Sequence, residues 1–206
     1  MDPSSCFLVL LFVVGIQGQC CPPKQYVIDE DIDAAVKTPD GNIKITRGMQ
    51  HVTYDSVGKR LAVHGVDYTR NIISDVIMDY QQGKEYIWAN GVCSVKPLGN
   101  FTESCVPEGA KLLQKSYMGQ PPNEIPVQMY FFQRDANDMY VSVTEECIPM
   151  EAHFSSETKG YIEFVVYSNF TQGISDMSVF TPPDICQHQG MKSPHVAGPR
   201  RRMIFL

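Results

Sequence analysis

Five histidines, seven cysteines and 23 acidic residues supply most of the chemistry open to this 206-residue chain. Their spacing supports little catalysis. No Gly-x-Ser-x-Gly, phosphate-cradling glycine loop or His-Glu-x-x-His pair occurs, so the local signatures of acyl transfer, nucleotide chemistry and zinc hydrolysis are missing. His51, His64 and His153 fall in strand-like stretches, where each is expected to be a half-exposed sheet residue rather than a general base. The chain therefore reads as a non-enzyme. One stretch has metal-ligand spacing: Asp29-Glu30-Asp31-Ile32-Asp33 places carboxylates at positions 1, 3 and 5 of an EF-hand-like loop, with Asp40 at position 12. Ala34 replaces the turn glycine, and an aspartate stands where a bidentate glutamate belongs. The stretch accordingly reads as a solvated acidic segment. Asp135, Asn137 and Asp138 read as turn residues.

The cysteines point to an oxidising compartment. The apolar run from Cys6 to Ile16, ending in Gly15-Ile16-Gln17-Gly18, has the length of a signal-peptide core, although Asp2 is acidic and no Lys or Arg precedes the run. Residues 1–18 are therefore predicted to be a signal peptide, and the protein to be secreted. Its removal takes Cys6 and leaves Cys20, Cys21, Cys93, Cys105, Cys147 and Cys186. An even set in a secreted chain reads as three disulfides, with 15 pairings open from sequence. No Cys-x-x-Cys pair supports a zinc site instead.

Residues 19–187 suffice for one β domain with a substantial core. Setting aside Asp2 and the tail residues Lys192, Arg200, Arg201 and Arg202, this body holds 22 acidic against 13 basic residues, a net charge of −9. Such a surface is a poor match for nucleic acid, whose phosphates require Lys and Arg. Residues 188–206 combine Gly190, Pro194, Gly198 and Pro199 with Arg200-Arg-Arg202 and read as a disordered tail.

Strand and hairpin signals fill the body. Met49 to Tyr54 and Arg60 to Val66 flank a turn at Gly58, Ile72 to Tyr80 alternates, and Glu85 to Val92 carries the single tryptophan, Trp88. Val127 to Arg134 and Met139 to Glu145 form the clearest hairpin. Residues 100–126 read as a long connection. Antiparallel sheets, packed or folded on one another, are the expected architecture. Gly160 to Phe170 reads as a long strand. Asn169-Phe170-Thr171 and Asn100-Phe101-Thr102 are glycosylation sequons, and a glycan must face water. For a regular strand, Tyr167 and Asn169 then point outward, and Ile162, Phe164, Val166 and Phe170 inward.

Ser178-Val-Phe-Thr-Pro-Pro-Asp-Ile-Cys186, with Gly173-Ile174 and Asp176 before it, resembles the C-terminal signature of the ependymin and ependymin-related family. Cys20 to Pro23, Tyr54-Asp55, Gly91-Val92-Cys93 and Cys147-Ile148-Pro149 match in order, so the resemblance spans about residues 20 to 187.

The resemblance implies two stacked antiparallel sheets curved around a deep hydrophobic pocket, similar to bacterial lipoprotein carriers. It also implies Cys20–Cys147 and Cys93–Cys186 pairing, which leaves Cys21 for Cys105. Trp88, Met129, Phe131, Met139, Val141, Phe164 and Val166 are the expected pocket residues, with a fatty acid or other lipid as ligand. An ordinary filled core is the alternative for each of them. Calcium binding without an assigned ligand set and a homodimer follow from the same resemblance; the expected destination is extracellular, with lysosomal routing as the alternative. A calcium-dependent role in extracellular matrix or cell-surface receptor adhesion is the competing function.

Overall fold

The computed structural model describes residues 20–134 and 136–187. The predicted signal peptide, residues 1–18, and the tail, 188–206, lie outside this range, as does Asp135. Eleven strands follow in order: β1 (Gln25–Lys37), β2 (Ile43–Asp55), β3 (Arg60–Asp67), β4 (Ile72–Asp79), β5 (Lys84–Ala89), β6 (Val92–Pro97), β7 (Lys111–Met118), β8 (Ile125–Arg134), β9 (Asn137–Thr144), β10 (Pro149–Ser156) and β11 (Tyr161–Gln172). A 3-10 turn at Met177–Phe180 and the one-turn helix α1 (Asp184–Gln187) complete the described chain.

The fold is all-β and antiparallel, as expected. Its strands form one sheet in the order β6-β5-β4-β3-β2-β1-β11-β10-β9-β8-β7. Laid flat, that order would separate edge strands β6 and β7 by roughly 48 Å, about the full reach of the thirteen residues between them. The sheet instead doubles over. Val63 of β3 and Met78 of β4 share one core with Phe132 of β8, Met139 of β9 and Phe154 of β10, while Phe101 from the β6–β7 connection packs against it. Three disulfides, Cys20–Cys147, Cys21–Cys105 and Cys93–Cys186, staple the chain in the pairing that the resemblance implied.

Strand β1 is the centre of the sheet, although its acidic stretch Asp29–Asp33 reads in sequence as a solvated segment. Period-2 alternation turns Ile28, Glu30, Ile32 and Ala34 toward the core, and Asp29, Asp31 and Asp33 away from it. Its neighbour β11 differs from the regular strand expected. Asn169 and Phe170 together oppose the single residue Ile28, because Asp29 pairs with Ser168 and Val27 with Thr171. This β-bulge, with Asn169 at φ 52°, shifts the parity of everything before it. Asn169 is exposed and Phe170 packs inward as expected, but Val165 and Tyr167 are the core residues of β11. Ile162, Phe164 and Val166 face outward.

Three other stretches depart from expectation. Within residues 100–126, read as a connection, β7 adds an edge strand whose own bulge between Leu112 and Gln114 hides its alternation. Glu85 to Val92 is broken by Asn90-Gly91, both at positive φ, which makes a tight hairpin between β5 and β6. In the β2–β3 turn the left-handed residue is Lys59, at φ 50°. Gly58 serves a different purpose there: a β-carbon would collide with the Asp55 carboxylate, which accepts hydrogen bonds from Gly58 N, Gln25 Nε2 and Arg60 Nε, each at 2.9 Å.

Candidate functional site

The predicted pocket residues do not gather on one surface. Met139 and Val141 face the shared core and are 0 and 1 % exposed. Phe131 lies on the reverse face, opposite Tyr140 with ring centroids 5.0 Å apart, and Met129, two residues away on β8, shares that face. Phe164 and Val166 lie outward because of the bulge, at 44 and 54 % exposure. A charge at Phe164 is thus a surface change and does not probe the interior. Trp88 packs in a second cluster with Ala62, Ile77, Tyr86, Phe180 and the Cys93–Cys186 pair, on the face of β3–β6 turned away from the main core. The 3-10 turn covers that face, with the Arg60 guanidinium 4.2 Å from the Phe180 ring centroid.

Sequence reasoning missed a polar pair inside the fold. Glu30 is 4 % exposed on the core-facing side of β1, directly opposite Gln50 of β2 on one flank and Tyr167 of β11 on the other. Glu30 Oε1 and Gln50 Oε1 are both buried without a hydrogen-bond partner. An unpaired buried polar atom costs on the order of 1–3 kcal/mol, so two facing each other across one strand pair are an unusual expense. Burial, reinforced by repulsion from Glu163, pushes the Glu30 carboxyl up to about 8, and it is neutral at pH 7. The Tyr26 and Tyr167 phenols, buried in the same region, are pushed up by burial and then by Glu30. The available signal was position: Glu30 shares the parity of Ile28, Ile32 and Ala34.

The EF-hand-like carboxylates do not converge. In a strand, Asp29, Asp31 and Asp33 stand along the outer face roughly 7 Å apart. Asp29 accepts from Asn169 Nδ2 at 2.7 Å and meets His51 Nδ1 at 2.6 Å, while Asp33 pairs with Arg47 at 2.7 Å. Asp40 is held by Thr38 and Asn42 in the β1–β2 turn. These residues do not fit a calcium loop. Among the described residues, Glu103 lies close to Cys21 and Cys105, but the two sulfurs are bonded to each other.

Two surface depressions accompany this arrangement. One, about 550 Å³, is lined by Cys21 to Gln25, Glu146, Gln172 and Gly173 near one end of the β1–β11 pair. The other, about 310 Å³, is lined by Ala35, Ile43, Tyr161 and Ile162 among others, at the opposite end of that pair. It adjoins an exposed apolar stretch in which Ile43, Ile45 and Ile162 are 70, 61 and 42 % exposed. No helix of the described residues is long and apolar enough to cross a membrane.

The doubled antiparallel sheet and its three long-range cystines define a disulfide-stapled all-β protein. The chain belongs to the ependymin family, whose profile matches residues 69–186. It is 27% identical over 199 residues to ependymin-related protein 1 of Haliotis asinina, covering 85% of this chain and 96% of the relative. Among solved structures, an uncharacterised conserved protein of Thermus thermophilus superposes with a TM-score of 0.50 at 7% identity, covering 76% of this chain and 86% of that one. That likeness concerns the fold. A LolA superfamily protein of Nitrosomonas europaea matches at a TM-score of 0.39 and 12% identity, over 78% of this chain and 91% of its own.

Proposed function

We propose that this protein binds a lipid without chemical conversion, its alkyl part among the apolar side chains between the two halves of the sheet and its polar end at Glu30 and Gln50. The observation that carries this reading is the pair of unpartnered buried oxygens of Glu30 and Gln50, set beside a core of mainly apolar side chains. Neutral Glu30 can donate to a fatty acid's carboxylate, and both orphan oxygens can accept from a hydroxyl. Each methylene removed from water contributes roughly 0.8 kcal/mol, so a medium-length chain reaches micromolar affinity even after ordering costs. Methionine and tyrosine walls, from Met78, Met139, Tyr26 and Tyr130, suit ligands of irregular shape. The disulfides fit an extracellular setting, and binding would take place there.

Mass spectrometry of molecules extracted from the natively purified protein should recover a single-chain or larger lipid, and a fluorescent fatty acid should bind in competition with it. Absence of binding across a range of chain lengths would remove the lipid reading. The exposed apolar residues Ile43, Ile45, Ile162, Phe164 and Val166 favour a second reading, in which the outer face meets another macromolecule or a second copy in a homodimer. Calcium-dependent attachment to matrix or cells by lipid-free protein would establish it, and light scattering at monomer mass would exclude the homodimer. Asn100 and Asn169 are both exposed, and both are expected to carry glycans. A mass unchanged by glycosidase would contradict that.

A further inference from the structure

Four residues on four adjacent strands stand in one row across the outer face: Asp29 of β1, His51 of β2, His64 of β3 and Asp75 of β4. Each is the direct partner of the next in the antiparallel register. The row is mirror-like, with a carboxylate at each end and the two imidazoles side by side. His51 Nδ1 lies 2.6 Å from Asp29 Oδ1, and His64 Nδ1 lies 2.7 Å from Asp75 Oδ1. Both histidine side chains are 53 % exposed, whereas Asp29 and Asp75 are 20 and 30 % exposed. Asp29 is further fixed by Asn169, which sits on the neighbouring strand at the bulge.

This geometry settles what each ring can do. A carboxylate at Nδ1 accepts a hydrogen bond from that nitrogen's N–H, so in the neutral ring Nε2 carries the lone pair. The two imidazole nitrogens lie on opposite sides of the ring. Since each Nδ1 is held by its own aspartate on the outer side of the row, each Nε2 is directed away from that aspartate. Directly opposed residues have β-carbons about 4.5–5.5 Å apart, a separation from which two imidazoles can share one ion. A carboxylate behind the distal nitrogen of a ligating histidine fixes its tautomer and ring orientation, and here both histidines have one.

We propose that His51 and His64 form a two-histidine site for a divalent transition-metal ion of the copper, nickel or zinc type, with Asp29 and Asp75 as positioning residues. Imidazole nitrogen suits these ions, whereas calcium prefers oxygen donors and gains nothing from the two rings. Two protein ligands leave coordination positions for water or for a donor from another molecule. The site lies on the outer face of the sheet and is independent of the lipid reading.

Titration of the full chain with Zn²⁺ alone, and with Cu²⁺ alone followed by electron paramagnetic resonance, is the test. One equivalent per chain is expected, with nitrogen hyperfine coupling from two imidazoles in the copper spectrum and no response to Ca²⁺. His51→Ala and His64→Ala, both at exposed positions, should each lose at least tenfold in affinity. Asp29→Asn and Asp75→Asn should lose about 10–100-fold while retaining the two-nitrogen signature. Circular dichroism identifies any variant that fails to fold, and His51→Gln then serves in place of His51→Ala. Binding that persists undiminished in both histidine variants would place the ion elsewhere, His188 and His195 of the tail included, and overturn the proposal. Absence of binding to the parent chain would overturn it equally.

Discussion

A Cys93→Ser, Cys186→Ser double variant is expected to lose about 4–5 kcal/mol of stability, the value that the chain-entropy description gives for a loop of this length. The bond joins residues 93 positions apart and closes the second half of the described chain. It is not simply a tether. Both cysteines are almost wholly buried, at 0 and 3 % exposure, and with Phe180 they form the cover over Ala62, Ile77 and Tyr86. Cutting it therefore frees the 3-10 turn from the reverse face of β3–β6 as well as lengthening the unfolded chain's reach. For a domain of this size the loss corresponds to a fall in Tm of roughly 10–20 °C. Denaturant unfolding of parent and variant, with the remaining two disulfides verified by mass mapping, measures it. A loss of less than about 1 kcal/mol would contradict this expectation, because strain in the folded state or structure in the unfolded chain would then cancel the loop-closure entropy.

Replacing Glu30 with glutamine should have nearly as large an effect, of the opposite sign, and only above acid pH. The Glu30 carboxyl ionises near 4.5 in the unfolded chain and near 8 in the folded one. Below about 4.5 both states hold the proton and Glu30 is without penalty. As pH rises from 4.5 to 8 the unfolded chain ionises while the folded chain stays neutral, so folded-state stability falls through this window and levels off above it. Each tenfold difference in proton affinity between the two states is worth about 1.4 kcal/mol, so the loss is on the order of 3–5 kcal/mol. Glu30→Gln cannot ionise in either state. Its urea midpoint should match the parent's near pH 4 and exceed it increasingly from about pH 5 to 8. Parallel midpoints for the two proteins across that range would show that Glu30 is not held neutral. Under the lipid-binding proposal the same variant should bind the fluorescent fatty acid more weakly, because an amide is a poorer donor to a carboxylate than a neutral acid. Greater stability with weaker binding is the combination expected of a group retained for function.

Much of this protein was determined locally and could be read from the chain. Turn chemistry and period-2 alternation gave the β2–β3 and β8–β9 hairpins, because tight turns and pleated alternation are properties of neighbouring residues. The ordered motifs from Cys20 to Cys186 pointed to the family, and the resemblance, not the cysteine set itself, implied Cys20–Cys147 and Cys93–Cys186 and left Cys21 for Cys105. Which face each residue occupies was decided otherwise. Asn169 faces water as its sequon requires, yet one extra residue at the bulge opposite Ile28 reverses the residues before it. Parity read outward from Asn169 therefore turned Phe164 and Val166 inward, when Val165 and Tyr167 hold those positions. A bulge has no signal in composition, since it answers to the strand across the ladder rather than to its own neighbours. The same reason hid the central strand. Acidic and apolar residues in alternation look like a solvated segment until β2 and β11 close on both sides and drive Glu30 into the core. The row Asp29–His51–His64–Asp75 was beyond sequence altogether: its members are brought side by side only by register, which three successive antiparallel pairings fix.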